Sequence, residues 1–173
     1  RGTMATPSEI VLAFDVNETL LDLRALDAPF VEAFGDASLR PVWFQAMLQL
    51  SFVGGLTGAY VDFTSAQHAA LRMVATRAGV DVSDAQAEAI VGGMRTLPSH
   101  PDVPGALQRL RDAGFRQVTL TNSPLDVVRD QLTNAGLAEL FDAILSADEV
   151  RALKPAPQPY RLCLLYTSDA ADE

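Results

Sequence analysis

Apolar positions follow two different periods along the chain, and the change of period divides it. Near the start, Ile10-Val11-Leu12-Ala13-Phe14 is an unbroken apolar run closed by Asp15 and the turn Val16-Asn17-Glu18-Thr19, which predicts a buried strand presenting a carboxylate at its carboxyl end. From Phe30 to Met94 only helical spacing is found. Asp27-Ala28-Pro29 reads as a cap followed by a first-turn proline. Leu39 to Phe52 places Val42, Trp43, Ala46, Met47 and Leu50 on one face, and the Gly54-Gly55 pair is expected to stop that helix. Thr64 to Ala78 is a second helix, stopped by Gly79, and Ser83 is the expected N-cap of a third, Asp84 to Met94. Beyond Leu97-Pro98-Ser99-His100-Pro101 the pattern alternates again. A helix from Val103 to Ala113 leads to a strand at Arg116–Thr121, then a helix from Pro124 to Ala135 leads to a short strand at Phe141–Ser146. Strand and helix at these spacings predict βαβ units, hence an α/β fold with a parallel sheet and an all-helical block inserted after its first strand.

Composition narrows the partners. A chain of 173 residues with 49% hydrophobic content suits one domain, or a core with an insertion, that buries a substantial interior. The net charge of -9 argues against a nucleic-acid or anionic membrane partner, since either needs clustered Lys and Arg; an anionic substrate has to meet local positive charge instead. Val42 to Tyr60, the longest apolar-rich stretch, is broken by Gln45, Gln49, Ser51 and three glycines and does not read as a membrane span. The single cysteine, Cys163, excludes an internal disulfide framework and suits a reducing cytoplasm, the expected location. No apolar leader precedes Met4, the expected start. Tyr160-Arg161-Leu162 is expected to begin a helix, whereas Cys163 to Glu173 resembles the translated sequence of an adapter used in transposon-based sequencing libraries. On that reading 1–8 and 163–173 are non-native or disordered tails.

Three strand ends carry candidate chemistry. Asp15 stands where a strand becomes a loop, a place that suits a nucleophile forming an ester or acyl phosphate and equally a helix cap or turn residue. Thr121 and Asn122 close the second strand, as hydrogen-bond donors toward an anion or as caps of the helix near Pro124. Lys154 precedes Pro155 and is therefore held out of helical geometry, which suits an ammonium pointing into a cleft or a solvated loop lysine; Tyr160 follows six residues later. Taken together and in this order, the three favour a site.

The set Asp15-x-Asn17-x-Thr19-Leu20, Leu120-Thr121-Asn122 and Lys154-Pro155 resembles motifs one to three of the haloacid dehalogenase superfamily, and the helical block is similar to its cap. Within it, the type II haloacid dehalogenases likewise have a tyrosine six residues after the motif lysine. The resemblance runs from Ile10 to about Leu162. It implies a Rossmann-like core, 9–21 and 99–162, incomplete at the C-terminus where motif four would follow, and a helical cap over 22–98. Because the superfamily's first strand is central, lack of the later strands would leave that strand with an open edge.

By the same resemblance Asp15 is the nucleophile, Thr19 supports its loop, Thr121 and Asn122 are anion-side donors, and Lys154 is the charge partner. Asn17 and Tyr160 fall on the substrate side. The family's cap arginine, next to a tryptophan, is missing because Phe44 follows Trp43, unless Arg40, one helical turn earlier, replaces it on the substrate side; the other reading of Arg40 is a solvent-facing helix residue. The activity implied is hydrolysis of a small anionic, 2-haloacid-like substrate without cofactor or metal, in a protein that can form a homodimer. Two alternatives stand beside it. One is a Mg²⁺-dependent phosphatase, which Asn17 argues against because phosphatases of the superfamily have an acid/base aspartate there. The other is a catalytically idle binding domain or inactive fragment, motivated by Asn17 and Phe44.

Overall fold

The computed structural model describes residues 6–169. Val11–Phe14 (β1), Arg116–Thr121 (β2) and Ala143–Ser146 (β3) form a parallel sheet in the order β1-β2-β3. Val11 stands opposite Arg116 and Val118 opposite Ala143, so Phe14 is level with Thr119 and Thr121 with Ser146. This register brings the carboxyl ends of all three strands to one side of the sheet, the side on which open α/β sheets bind ligands. Two helices, α5 (Val103–Asp112) and α6 (Leu125–Asn134), make the crossovers. β2 is the buried centre, and among the described residues β1 pairs on one side only, with Ala13 exposed.

Between β1 and α5 lie α1 (Asp27–Phe34), α2 (Leu39–Thr57), α3 (Phe63–Ala78) and α4 (Asp84–Gly93). The chain leaves the sheet and returns to it at one place. Leu21 bridges Ser99, the Asp22 N–H donates to the Pro98 carbonyl at 2.9 Å, and the His100 N–H donates to Leu20 at 2.9 Å. Trp43 anchors the helical block, fully buried, with its indole N–H on the Gln67 carbonyl at 3.0 Å and its ring 5.5 Å from Phe30. Burying a side chain of that size contributes about 3 kcal/mol or more from area alone.

Local expectations fail in instructive places. α2 does not stop at Gly54-Gly55 but runs to Thr57, ending at Gly58 in the left-handed conformation with φ 74. Gly54 is buried where a Cβ would lie 2.6 Å from the Ala59 carbonyl oxygen, so that glycine serves close approach of the returning chain. The buried face of α2 is Trp43, Ala46, Met47, Ser51 and Gly54, while Val42, expected inside, is 44% exposed. Asp27 lies inside the first turn of α1, and it is Asp22 that caps, accepting the Arg24 N–H ahead of the 3-10 turn Leu23–Leu26. Ser83 does cap α4, in a reciprocal box with Gln86.

Helix α7 (Pro157–Asp169) begins three residues before Tyr160 and continues past Cys163, and a 3-10 turn occupies Pro7–Glu9. The sequence reading puts both stretches partly in the tails; the remainder of those tails, 1–5 with Met4 and 170–173, lies outside the described residues. Among the described residues no helix is long and apolar enough to cross a membrane.

Candidate active site

Asp15 follows β1 directly. The chain then turns so tightly that the Val16 carbonyl accepts the N–H groups of Thr19, Leu20 and Leu21 at 3.3, 2.8 and 3.1 Å, with Glu18 at φ 64. The turn folds Thr19 back onto Asp15, where its hydroxyl donates to Oδ2 at 3.0 Å. Lys154 Nζ donates to the other oxygen, Oδ1, at 2.8 Å. Both carboxylate oxygens are thereby oriented, and the side chain remains 46% exposed toward a cleft.

Lys154 is placed by Asn122 at the end of β2. The Asn122 Oδ1 accepts the Lys154 N–H at 2.7 Å, and its amide nitrogen donates to the Lys154 carbonyl at 3.3 Å. The side chain that the sequence offers as an anion donor acts here as a clip on the lysine's main chain. Thr121 is buried and accepts the Ser123 N–H at 3.2 Å, leaving its own hydroxyl proton to donate.

Asn17 likewise turns inward. Its amide nitrogen donates to the Ser123 hydroxyl at 3.1 Å, and its oxygen accepts from Gln131 Nε2 at 3.0 Å. Gln131 also donates to the Met94 carbonyl at 2.8 Å, and the Ser146 hydroxyl donates to the Ser123 carbonyl at 2.6 Å. All four side chains are buried, so their bonds act in a low-dielectric setting and tie the three strand ends together. Ser123, Gln131 and Ser146 went unread in the sequence. Gln131 alone gave a signal, an amide set among Val127, Val128 and Leu132 on the buried face of α6.

A cleft of about 730 Å³ opens above Asp15. Six of the eight expected site residues line it, namely Asp15, Asn17, Thr121, Asn122, Lys154 and Tyr160, and Thr19 reaches it through Asp15. Arg40 does not. Its guanidinium Nε is paired with Asp27 Oδ1 at 2.6 Å across α1 and α2, so the expected cap cation is used inside the helical block. The facing wall, also unread in the sequence, comes from α2 and Phe63, with Phe44, Leu48, Phe52 and Leu56 as its apolar side chains.

Two further polar groups lie outside the cleft's lining. The Tyr60 hydroxyl, on the segment between α2 and α3, donates to Asp148 in the 3-10 turn after β3, and the Arg151 guanidinium lies 4.9 Å over the Tyr60 ring. Burial, then the Asp148 hydrogen bond, hold the Tyr60 phenol above its ordinary range. Asp22 has its carboxyl pulled down to about 2 by the hydrogen bonds from the Arg24 side chain and main chain. Among the described residues no three His, Cys, Asp or Glu side chains gather where they would hold a metal ion.

The chain that carries this arrangement of carboxylate, lysine and threonine is similar to known proteins. The chain is similar to the haloacetate dehalogenase H-2 of Moraxella sp. (strain B), 30% identical over 153 residues, covering 87% of this chain and 68% of that one. It is 28% identical to the (S)-2-haloacid dehalogenase of Pseudomonas sp. (strain YL), covering 87% and 66%. Among solved structures, the L-2-haloacid dehalogenase from Xanthobacter autotrophicus superposes with a TM-score of 0.82 at 29% identity, covering 88% of this chain and 62% of that chain. The chain thus spans about two thirds of the length of the curated relatives it matches. The family model for haloacid dehalogenase-like hydrolases matches residues 11–165, from the strand that presents Asp15 into the helix that carries Tyr160, and the chain belongs to that family.

Proposed function

We propose that the protein hydrolyses the carbon–halogen bond of 2-haloacids, with Asp15 as nucleophile and Lys154 as its charge partner. The observation that carries this is the fixing of both Asp15 oxygens, by Lys154 at 2.8 Å and Thr19 at 3.0 Å, at the floor of a largely apolar cleft. One Asp15 oxygen attacks C2, the new C–O bond forming as the C–X bond breaks and halide leaves with the bonding pair. Water then adds to the aspartyl carbonyl carbon, the 2-hydroxyacid departs, and the carboxylate is restored with release of one proton. The reaction as written needs no cofactor and takes a small anionic substrate; the reading further assigns the enzyme to the cytoplasm and allows a homodimer. Asn17 speaks against the Mg²⁺-dependent phosphatase alternative, because an amide cannot relay a proton and this one is committed to Ser123 and Gln131.

The test is halide release by the full-length protein from L-2-chloropropionate. Asp15→Asn abolishes it. A single turnover in ¹⁸O-water labels the Asp15 carboxylate and not the product hydroxyl. Label in the product hydroxyl would mean that water attacks C2 directly, and no halide release from any 2-haloacid would refute the assignment.

A further inference from the structure

The cleft formed by the described residues is larger and more apolar than a three-carbon haloacid requires. At about 730 Å³ it lies in the range of sites that enclose ligands of drug-like size. Its wall has a direction: Phe44, Leu48, Phe52 and Leu56 recur every fourth residue along α2 and therefore stand one above another on a single stripe. From Phe44 to Leu56 that stripe extends about 18 Å along the helix axis, at 1.5 Å per residue. Among the described residues nothing covers its outer members, since Phe52 is 40% and Leu56 88% exposed.

The polar side is equally specific. Among the described residues, Asp15 and Lys154 are the charged side chains lining the cleft, and they neutralise each other at 2.8 Å. Arg40 is held by Asp27, and the amides of Asn17 and Asn122 are engaged in the floor. One small polar head can be met beside Lys154 and Thr121. A second charge further along the stripe would lie against hydrocarbon, without a partner.

We infer that the preferred substrate carries a long apolar substituent, a medium-length alkyl chain or an aryl group, on the reacting carbon, laid along the α2 stripe away from Asp15. This rests on the reading of Asp15 as the nucleophile, and it makes α2 the determinant of substrate size.

The full-length protein is assayed for halide release from 2-bromopropionate, 2-bromohexanoate, 2-bromooctanoate and 2-bromo-2-phenylacetate. The expected kcat/KM rises with chain length by about three- to fourfold per methylene before levelling. A flat or falling series, with 2-bromopropionate still turned over, overturns the inference and leaves the chemistry standing. Leu56→Asp, at a side chain too exposed to support the fold, is expected to cut the octanoate-to-propionate ratio of kcat/KM by about tenfold. An unchanged ratio counts against the stripe as a substrate surface, and conversion of a dimer to a monomer by this variant would assign the stripe to a second copy of the chain. If no haloacid reacts, calorimetric binding of 2-hydroxyoctanoate against 2-hydroxypropionate still decides the matter: tighter binding of the longer acid upholds the apolar subsite, and equal binding removes it.

Discussion

Asn17→Asp is a one-atom-type change at the most consequential departure in the Asp15 loop. The Asn17 side chain is 8% exposed and sits between the Ser123 hydroxyl at 3.1 Å and Gln131 Nε2 at 3.0 Å. A carboxylate there keeps the Gln131 bond, and the Ser123 hydroxyl can rotate to donate instead of accept, so hydrogen bonding is nearly conserved. The remaining cost is electrostatic, from burying a charge two residues from Asp15, and it raises the new group's pKa above an ordinary aspartate's. A rise of roughly two to three units corresponds to about 3–4 kcal/mol lost at pH 7. The sign follows from linkage. With the folded-state pKa raised, the native state holds the proton longer, so N17D loses stability relative to wild type as pH climbs from about 4 to the folded pKa, and the deficit is constant above it. Urea unfolding of both proteins at pH 4.5 and 7.5 reads this directly. Equal stability at pH 7.5, or a deficit that does not shrink at pH 4.5, would refute the account of Asn17 as a buried bracket.

Gly54→Ala should lower stability by about 1–3 kcal/mol, because the new methyl meets the Ala59 carbonyl oxygen at 2.6 Å and must displace backbone; an unchanged thermal midpoint would mean that the α2 terminus yields freely. Asn122→Ala removes both bonds to the Lys154 main chain and is expected to reduce kcat about a hundredfold through misplacement of Nζ, with KM less affected; halide-release kinetics check it. For Asp22, whose folded pKa is depressed to about 2, the stabilisation is present above about pH 4 and is lost as pH falls through 2. The unfolding midpoints of wild type and Asp22→Asn should therefore differ at pH 5 and converge near pH 2.

The sheet and the side chains at its strand ends were legible because both are local. An apolar run ending in Asp15, or in Thr121-Asn122, gives strand and candidate residue in one reading, and the register then makes neighbours of those ends. What escaped was pairwise and distant. Arg40 looked free for substrate because its partner, Asp27, sits thirteen positions earlier on another helix. Asn17 and Gln131 meet across 114 positions, which no local spacing announces. The α2 wall was hidden for another reason. That helix is apolar toward the interior and toward the cleft alike, so periodicity could not separate the two faces, and Gly54 imitated a stop signal while serving a close crossing.

The Lys154–Asp15 pair closes a loop of 139 positions, and everything between β1 and the third motif lies inside it. Closing so long a loop carries an entropic cost that neither side chain can offset alone, so the contact forms only once the sheet, its crossovers and the inserted helices have already brought the two ends together. The presence of the pair therefore reports on the folding of the whole chain between its two ends. Catalytic competence and global folding should therefore be lost together on the same denaturation curve.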